Sequence, residues 1–153
     1  MTEREEIEDV ISRLGLYIDS KDWAKLVEVL DEEVELDYTS LFGGLVEKIK
    51  SSEVIARWKS LLTPLKATQH VITNILVTME KNDSARSTAN VRAVHVRPNN
   101  LGDALWTVGG RYDFVLNKKN GYWRISAIKL TTLWTTGNPQ ILNVLDSTLT
   151  SSE

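Results

Sequence analysis

The sequence predicts an α+β fold, with helices gathered ahead of one long antiparallel sheet. Three observations predict it. Apolar residues recur at helical spacing through the first third of the chain. From His70 onward the pattern changes to long runs rich in Val, Ile, Thr, Tyr and Trp. Short turn sequences separate those runs, and an antiparallel meander needs nothing longer. Helices first and strands afterwards put the helices on one face of the sheet.

Thr2 and Glu5 have the spacing of a capping box. Ile7, Val10, Ile11, Leu14 and Ile18 follow, so a helix is expected over residues 3–18. Ser20 is expected to cap a second, short helix that buries Trp23, Leu26, Val27 and Leu30. Val34, Leu36 and Tyr38 alternate with Glu35 and Asp37, the mark of a half-buried strand. Gly43-Gly44 interrupts the pattern. Ser51 or Ser52 is expected to cap a third helix carrying Val54, Ile55, Trp58, Leu61 and Leu62, which Pro64 ends. Strands are expected over 70–79, 86–97, 105–116 and 122–134. Asn82-Asp83 and Lys119-Asn120-Gly121 are the hairpin turns, and Pro98 to Asp103 is a looser loop. The tail from Asn143 is rich in Ser and Thr and is expected to fray.

A length of 153 residues fits one domain, residues 1–153, and the 42% hydrophobic content can build a core without staples. The net charge of −3, with no Lys/Arg stripe, argues against a nucleic-acid partner. Lys118-Lys119 reads as solvation of a turn, and Asp22, Asp31 and Glu32-Glu33 read as solvated charges. Cysteine is absent, which removes disulfides, thiolate zinc sites and a thiol nucleophile, and fits a reducing compartment. Met1 to Asp9 is acidic and has no signal-like apolar run. No stretch approaches the ~20 apolar residues of a membrane span. A cytoplasmic protein without a membrane partner is expected. There is no nucleophile elbow, P-loop, dinucleotide fingerprint or zincin motif. His70 and His95 lack a metal-ligand spacing, so neither metal nor cofactor is expected.

A long sheet curled against small helices leaves space on its concave face, a natural apolar cavity for a small-molecule substrate. Both histidines fall in strands. Side chains alternate along a strand, so His70, Ile72, Asn74 and Leu76 are expected on one face, and Ala89, Val91, Ala93 and His95 on another. A histidine there is either a core residue satisfied by a carbonyl or an imidazole lining a pocket as acid or base. Asp19, at the end of the first helix, is either a turn carboxylate or the partner that orients such an imidazole. Tyr38 is either core packing with a wet tip or a hydroxyl that polarises a carbonyl. Trp106 and Trp134 suit an interface, a pocket rim or the core.

Several stretches are similar to one family. Tyr17-Ile18-Asp19-Ser20-Lys21-Asp22-Trp23, Leu36-Asp37-Tyr38-Thr39-Ser40, Thr68-Gln69-His70-Val71-Ile72, Asn120-Gly121-Tyr122-Trp123-Arg124-Ile125 and Trp134 resemble segments of scytalone dehydratases. Over residues 5–140 the chain resembles SnoaL-like proteins of the nuclear transport factor 2-like superfamily. The resemblance implies a cone: a curved mixed sheet with three N-terminal helices around a deep pocket. It implies that Asp19 and His70 form the central acid–base pair, that His95 is an assisting histidine, and that Tyr38 is one of two tyrosines that hold a water on the substrate carbonyl. The other tyrosine position is Ile18 here, and a serine and an asparagine of a late strand fall at Gly110 and Tyr112. The acid–base core is retained while the substrate-orienting shell differs.

The expected function is a cofactor-independent, dehydratase-like lyase acting on a cyclic polyketide-like or aromatic small molecule through Asp19, His70, His95 and Tyr38. An isomerase or cyclase on the same scaffold and a non-catalytic binding module remain the alternatives. A homodimer or homotrimer is expected.

Overall fold

The computed structural model describes residues 1–143, so the expected fraying beyond Asn143 lies outside the described residues. Helix α1 spans Glu3–Asp19. The Thr2 hydroxyl accepts from the Glu5 N–H, and the Glu5 carboxylate accepts from the Thr2 N–H, so the capping box forms. The expected apolar stripe is its buried face. Ser20 does not start a helix. It closes α1, its N–H bonding back to the Leu16 carbonyl. The next element is a 3-10 segment, Trp23–Glu28, preceded by Asp22. Three residues per turn align Trp23, Leu26 and Val29. Val27 therefore faces outward and is 55% exposed, against expectation.

Strand β1 (Leu30–Asp37), a single helical turn α2 (Thr39–Phe42), strand β2 (Glu47–Lys50) and helix α3 (Ser51–Leu62) follow. α2 and β2 were not expected. The sequence of β2 is Glu-Lys-Ile-Lys, charged as an outermost strand tends to be, and it carries no strand-like apolar run. α3 starts directly from it with Lys50 at the N-cap, and neither Ser51 nor Ser52 caps it. The long strands are β3 (Ala67–Lys81), β4 (Ser84–Val96), β5 (Leu105–Lys119) and β6 (Tyr122–Gly137). Asn120 at φ 53° and Gly121 at φ 83° form the left-handed pair that a tight two-residue hairpin needs.

The six strands form one curved, unclosed sheet in the order β2-β1-β6-β5-β4-β3. The β3–β6 meander is antiparallel as expected. The whole sheet is mixed, because β1 lies parallel to β6. Bulges in β3 and β6 bend it. The bulge in β3 falls at Asn74, which adopts φ 57°. It adds one residue and swaps the faces of the strand. Ile75 and Val77 turn inward and Leu76 is 67% exposed, so His70 and Leu76 do not share a face as alternation alone requires.

α1 packs on β3 and β6, and α3 on β1. At one end of the sheet Ile7, Ile11, Phe114, Leu116, Ile125 and Val34 pack with almost no exposure. The Glu3 carboxylate closes that end, accepting from the buried Trp123 indole N–H and from Lys118. Asp31 is buried, not solvated. β1 pairs irregularly with β6 between Leu30 and Glu35, so both Leu30 and Asp31 turn inward. Asp31 accepts from Lys119 and from the Glu32 N–H. Both lysines of the turn are thus paired.

Candidate active site

The register of the sheet brings distant residues onto one wall. Directly paired residues on neighbouring strands point to the same face. Thr68 pairs with His95 and His70 with Ala93 across β3 and β4. His95 pairs with Trp106, Ala93 with Val108 and Ala89 with Tyr112 across β4 and β5. One concave face therefore carries both histidines, Trp106 and Tyr112. Val91 and Ala93 are small, so space opens above them. Tyr38, at the end of β1, and Leu41 and Phe42 of α2 enclose that space from one side. Trp58, Leu61 and Leu62 of α3 enclose it from another. The cavity measures about 90 Å3. Among the described residues, no Lys, Arg, Asp or Glu lines it.

Asp19 sits at the last turn of α1, where the helix points its side chain at the start of β3. Gly15, one turn earlier, allows this approach. A Cβ there would lie 3.3 Å from Ile72 and 3.4 Å from the Cβ of His70. Three donors converge on the Asp19 carboxylate. They are the His70 backbone N–H at 2.8 Å, the Thr68 hydroxyl at 3.0 Å and the His70 ring Nδ1 at 2.7 Å. A carboxylate partner makes Nδ1 the protonated nitrogen of a neutral ring. The bare Nε2 then projects away from Asp19. The His70 side chain is only 10% exposed and lines the cavity. Such an imidazole can accept a proton from a bound molecule while Asp19 steadies the resulting imidazolium.

His95 is held differently. Its Nδ1 lies 3.1 Å from the Trp106 carbonyl oxygen, which can only accept, so Nδ1 carries the hydrogen. Its ring stacks at a tilt on Trp106, 5.0 Å between centroids, and lies 6.3 Å from the His70 ring. Burial is the main cause that pushes its pKa down, to about 4. His95 is therefore a neutral ring near pH 7, with Nε2 as an acceptor.

Tyr38 and Tyr112 form a phenol wall. Both line the cavity. Burial raises both pKa values, Tyr38 well above the ordinary range and Tyr112 to about 12, so both stay protonated. The Tyr38 ring meets Phe42 edge-on, and the Tyr112 ring rests 5.1 Å from Phe114.

The structure thus brings His70, His95 and Tyr38 to one cavity and places Asp19 behind His70, outside the lining. Trp106 is buried in its wall, whereas Trp134 lies outside it and is 46% exposed. Ile18 also lines the wall. The sequence reading gave Tyr112 no role. Its period-two relation to Val108, Gly110 and Phe114 was the available signal, since it puts Tyr112 on the apolar face. Among the described residues no cluster of three His, Asp or Glu is arranged to hold a metal ion. No described helix is long and apolar enough to cross a membrane.

A curved sheet with N-terminal helices around a pocket is the nuclear transport factor 2-like architecture. The model of the SnoaL-like domain matches residues 1–129, and the chain belongs to that family. Among solved structures it is similar to the Kfla4162 protein of Kribbella flavida. The identity is 28% over 92% of this chain and 96% of that one, with a TM-score of 0.86. A candidate scytalone dehydratase from Novosphingobium aromaticivorans is 19% identical over 89% of this chain and 87% of its own, with a TM-score of 0.78. The hexachlorocyclohexane dehydrochlorinase LinA-type3 of Novosphingobium barchaimii is 14% identical over 90% and 91%, with a TM-score of 0.72. At those identities the last two show a shared fold. No curated protein matches the sequence.

Proposed function

We propose that this chain is a cofactor-independent lyase that removes water from a cyclic, uncharged β-hydroxyketone of polyketide-like or aromatic type. The single observation that carries the reading is the 2.7 Å contact between Asp19 and the ring of His70, which lines an apolar cavity. A wall without cations favours an uncharged substrate, because a buried anion would find no partner.

His70 Nε2 takes the proton from the carbon next to the carbonyl, and the electron pair moves onto the carbonyl oxygen. The phenol wall that includes Tyr38 donates a hydrogen bond to that oxygen as charge develops. The enolate then reforms the carbonyl, the carbon–oxygen bond to the β-hydroxyl breaks, and the His70 imidazolium returns its proton to the leaving oxygen. The products are an enone and water. Asp19 orients the ring and offsets its transient charge. His95 is neutral and spends its only N–H on Trp106, so its part is to accept a hydrogen bond from a substrate hydroxyl and fix the ring's position. General acid–base assistance of this kind supplies ~10²–10⁴-fold.

The test is a panel of one- and two-ring cyclic β-hydroxyketones in deuterated water, followed by mass and proton NMR. Loss of one water is expected, faster than with His70→Ala. Deuterium at the α-carbon with unchanged skeleton mass would move the reading to an isomerase or cyclase. Ligand binding with neither change would make the chain a binding module.

In the same reading residues 1–153 act as one domain in the cytoplasm, to which the absence of cysteine is suited. The chain works as a homodimer or homotrimer through the exposed outer sheet face around Leu133 and Trp134. Size-exclusion mass tests this, and a monomer would refute it.

A further inference from the structure

We propose that Thr68 is a positioning residue: its hydroxyl fixes the Asp19 carboxylate against the His70 ring, so that Nε2 of that ring stays aimed into the cavity. This rests on the acid–base reading above and assigns the support behind its central pair.

The first reason is a count of bonds at the carboxylate. The Asp19 Oδ1 oxygen accepts twice, from the Thr68 hydroxyl at 3.0 Å and from the His70 Nδ1 at 2.7 Å. The Oδ2 oxygen accepts once, from the His70 backbone N–H at 2.8 Å. An ionised carboxylate has no hydrogen to give, so the hydroxyl hydrogen of Thr68 lies in this bond. Two of the three donors belong to His70 itself. Among the described residues, Thr68 is thus the only tether of the Asp19 side chain that His70 does not supply. It binds the same oxygen that faces the ring.

The second reason is the place of Asp19 in its helix. It is the last residue of α1, and the last turn of that helix holds no basic residue. The C-terminal end of a helix carries partial negative charge, so a carboxylate there gains nothing from its own helix. Among the described residues no Lys or Arg pairs with Asp19, and its one ion-pair partner is His70. Hydrogen bonds from β3 therefore hold the carboxylate in place of a cation.

The third reason is mechanical. Thr68 and His70 are two residues apart on β3, so their side chains share a face. Thr68 is buried, and the branch at its Cβ restricts its rotation. The backbone around Asp19 is fixed by other groups. Lys21 Nζ donates to the carbonyls of Thr63 and Leu65, on the connection that leads into β3. Gly15 lets α1 pack closely against His70 and Ile72. Loss of the Thr68 hydroxyl therefore leaves α1 where it is and acts on the aim of the carboxylate alone. A base that is poorly aimed loses rate and not substrate affinity.

Two measurements on the full chain test the assignment, one without chemistry and one with it. Thr68→Val keeps the shape and removes the hydroxyl, whereas Thr68→Ser keeps the hydroxyl. The first measurement is exchange of the His70 Nδ1–H with water, followed by proton NMR and assigned through its loss in His70→Ala. Exchange is expected to be about 10-fold faster or more in Thr68→Val and within about 2-fold of wild type in Thr68→Ser. The wild-type rate in Thr68→Val, equal acceleration in both variants, or a wild-type Nδ1–H that exchanges too fast to be seen would overturn the assignment. The second is turnover of a cyclic β-hydroxyketone. Thr68→Val is expected to lower kcat by about 10-fold with KM within about 2-fold, and Thr68→Ser to recover most of the loss. A rise in KM with kcat unchanged would overturn the proposal. Should Thr68→Val fail to fold, Thr68→Ala carries both measurements. If wild type and His70→Ala turn over substrate equally while the exchange pattern holds, the acid–base reading fails and Thr68 stands as the residue that positions Asp19.

Discussion

The two ends of the concave face are built from the same helix and the same strands, yet they are opposite in kind. At the closed end the inward positions are large: Phe114, Leu116, Ile125 and Ile128 meet Ile7 and Ile11 of α1. Only a few strand positions away the inward residues are Val91 and Ala93, too small to reach α3, and a cavity remains. Polar groups follow the same division. The closed end has its polar contacts at the margin, Glu3 with Trp123 and Lys118, and Asp31 with Lys119. The open end holds two imidazoles, two phenols and a carboxylate. The comparison teaches that side-chain volume along two strands is enough to separate the part of the sheet that holds the fold together from the part available for chemistry.

The largest expected effects break the open end alone. His70→Ala and Asp19→Asn should each lower turnover by ~10²-fold or more, while the thermal midpoint moves little. Near-wild-type turnover in both would remove the acid–base pair. Breaking the closed end should do the reverse. Ile125→Ala should cost about 2–5 kcal/mol in a denaturant titration, through lost transfer energy and the void left behind. Its remaining folded fraction should keep its specific activity. A drop in specific activity matching the loss of stability would mean that the two ends are not independent.

A third prediction concerns acid. The unfolded chain protonates His95 near pH 6.5, whereas the folded chain does so only at about 4. The unfolded state therefore binds the extra proton between those values. Stability is full above pH 6.5 and falls as the pH drops towards 4, by up to about 3 kcal/mol. His95→Gln should flatten that part of the stability profile, and an unchanged profile would mean that burial does not keep the ring neutral. The smallest effect is at the entrance to α1. Thr2→Ala removes the capping hydroxyl and should cost about 1 kcal/mol, visible as a small shift of the midpoint.

Much of this division was legible in the sequence, and the reasons differ by element. α1 and the meander from His70 onward were readable because their apolar periods run for many residues. β2 was not, because Glu-Lys-Ile-Lys is held by β1 and not by its own side chains. The caps at Ser20 and Ser51 failed for a simple reason: a serine near a helix end satisfies a motif whether or not the chain turns there. Asp31 looked solvated because the irregular stretch of β1 cannot be seen without its partner strand. At the candidate site, Asp19, His70, His95 and Tyr38 stood out by residue type and by family resemblance. Tyr112 did not, since the resemblance marked it as a departure. Only the register that aligns it with Ala89 reveals which cavity it enters.

The extra residue in β3 gives the protein a seam between its two ends. Before Asn74 the strand turns His70 towards the cavity and Ile72 towards the core, and after it the strand turns Ile75 and Val77 to the core. Each half obeys its own alternation, and the left-handed asparagine reconciles them. Deleting that one residue would leave the half bearing His70 aligned as before. It would also leave every later side chain on its present side, because Ile75 would then follow Thr73 in plain alternation and stand opposite Ala89. The histidine and the core beyond it are thus joined by an inserted residue that supplies bend and not pattern: its loss would straighten the strand, whereas a β-branched residue in its place would meet the strain of the left-handed backbone at φ 57°.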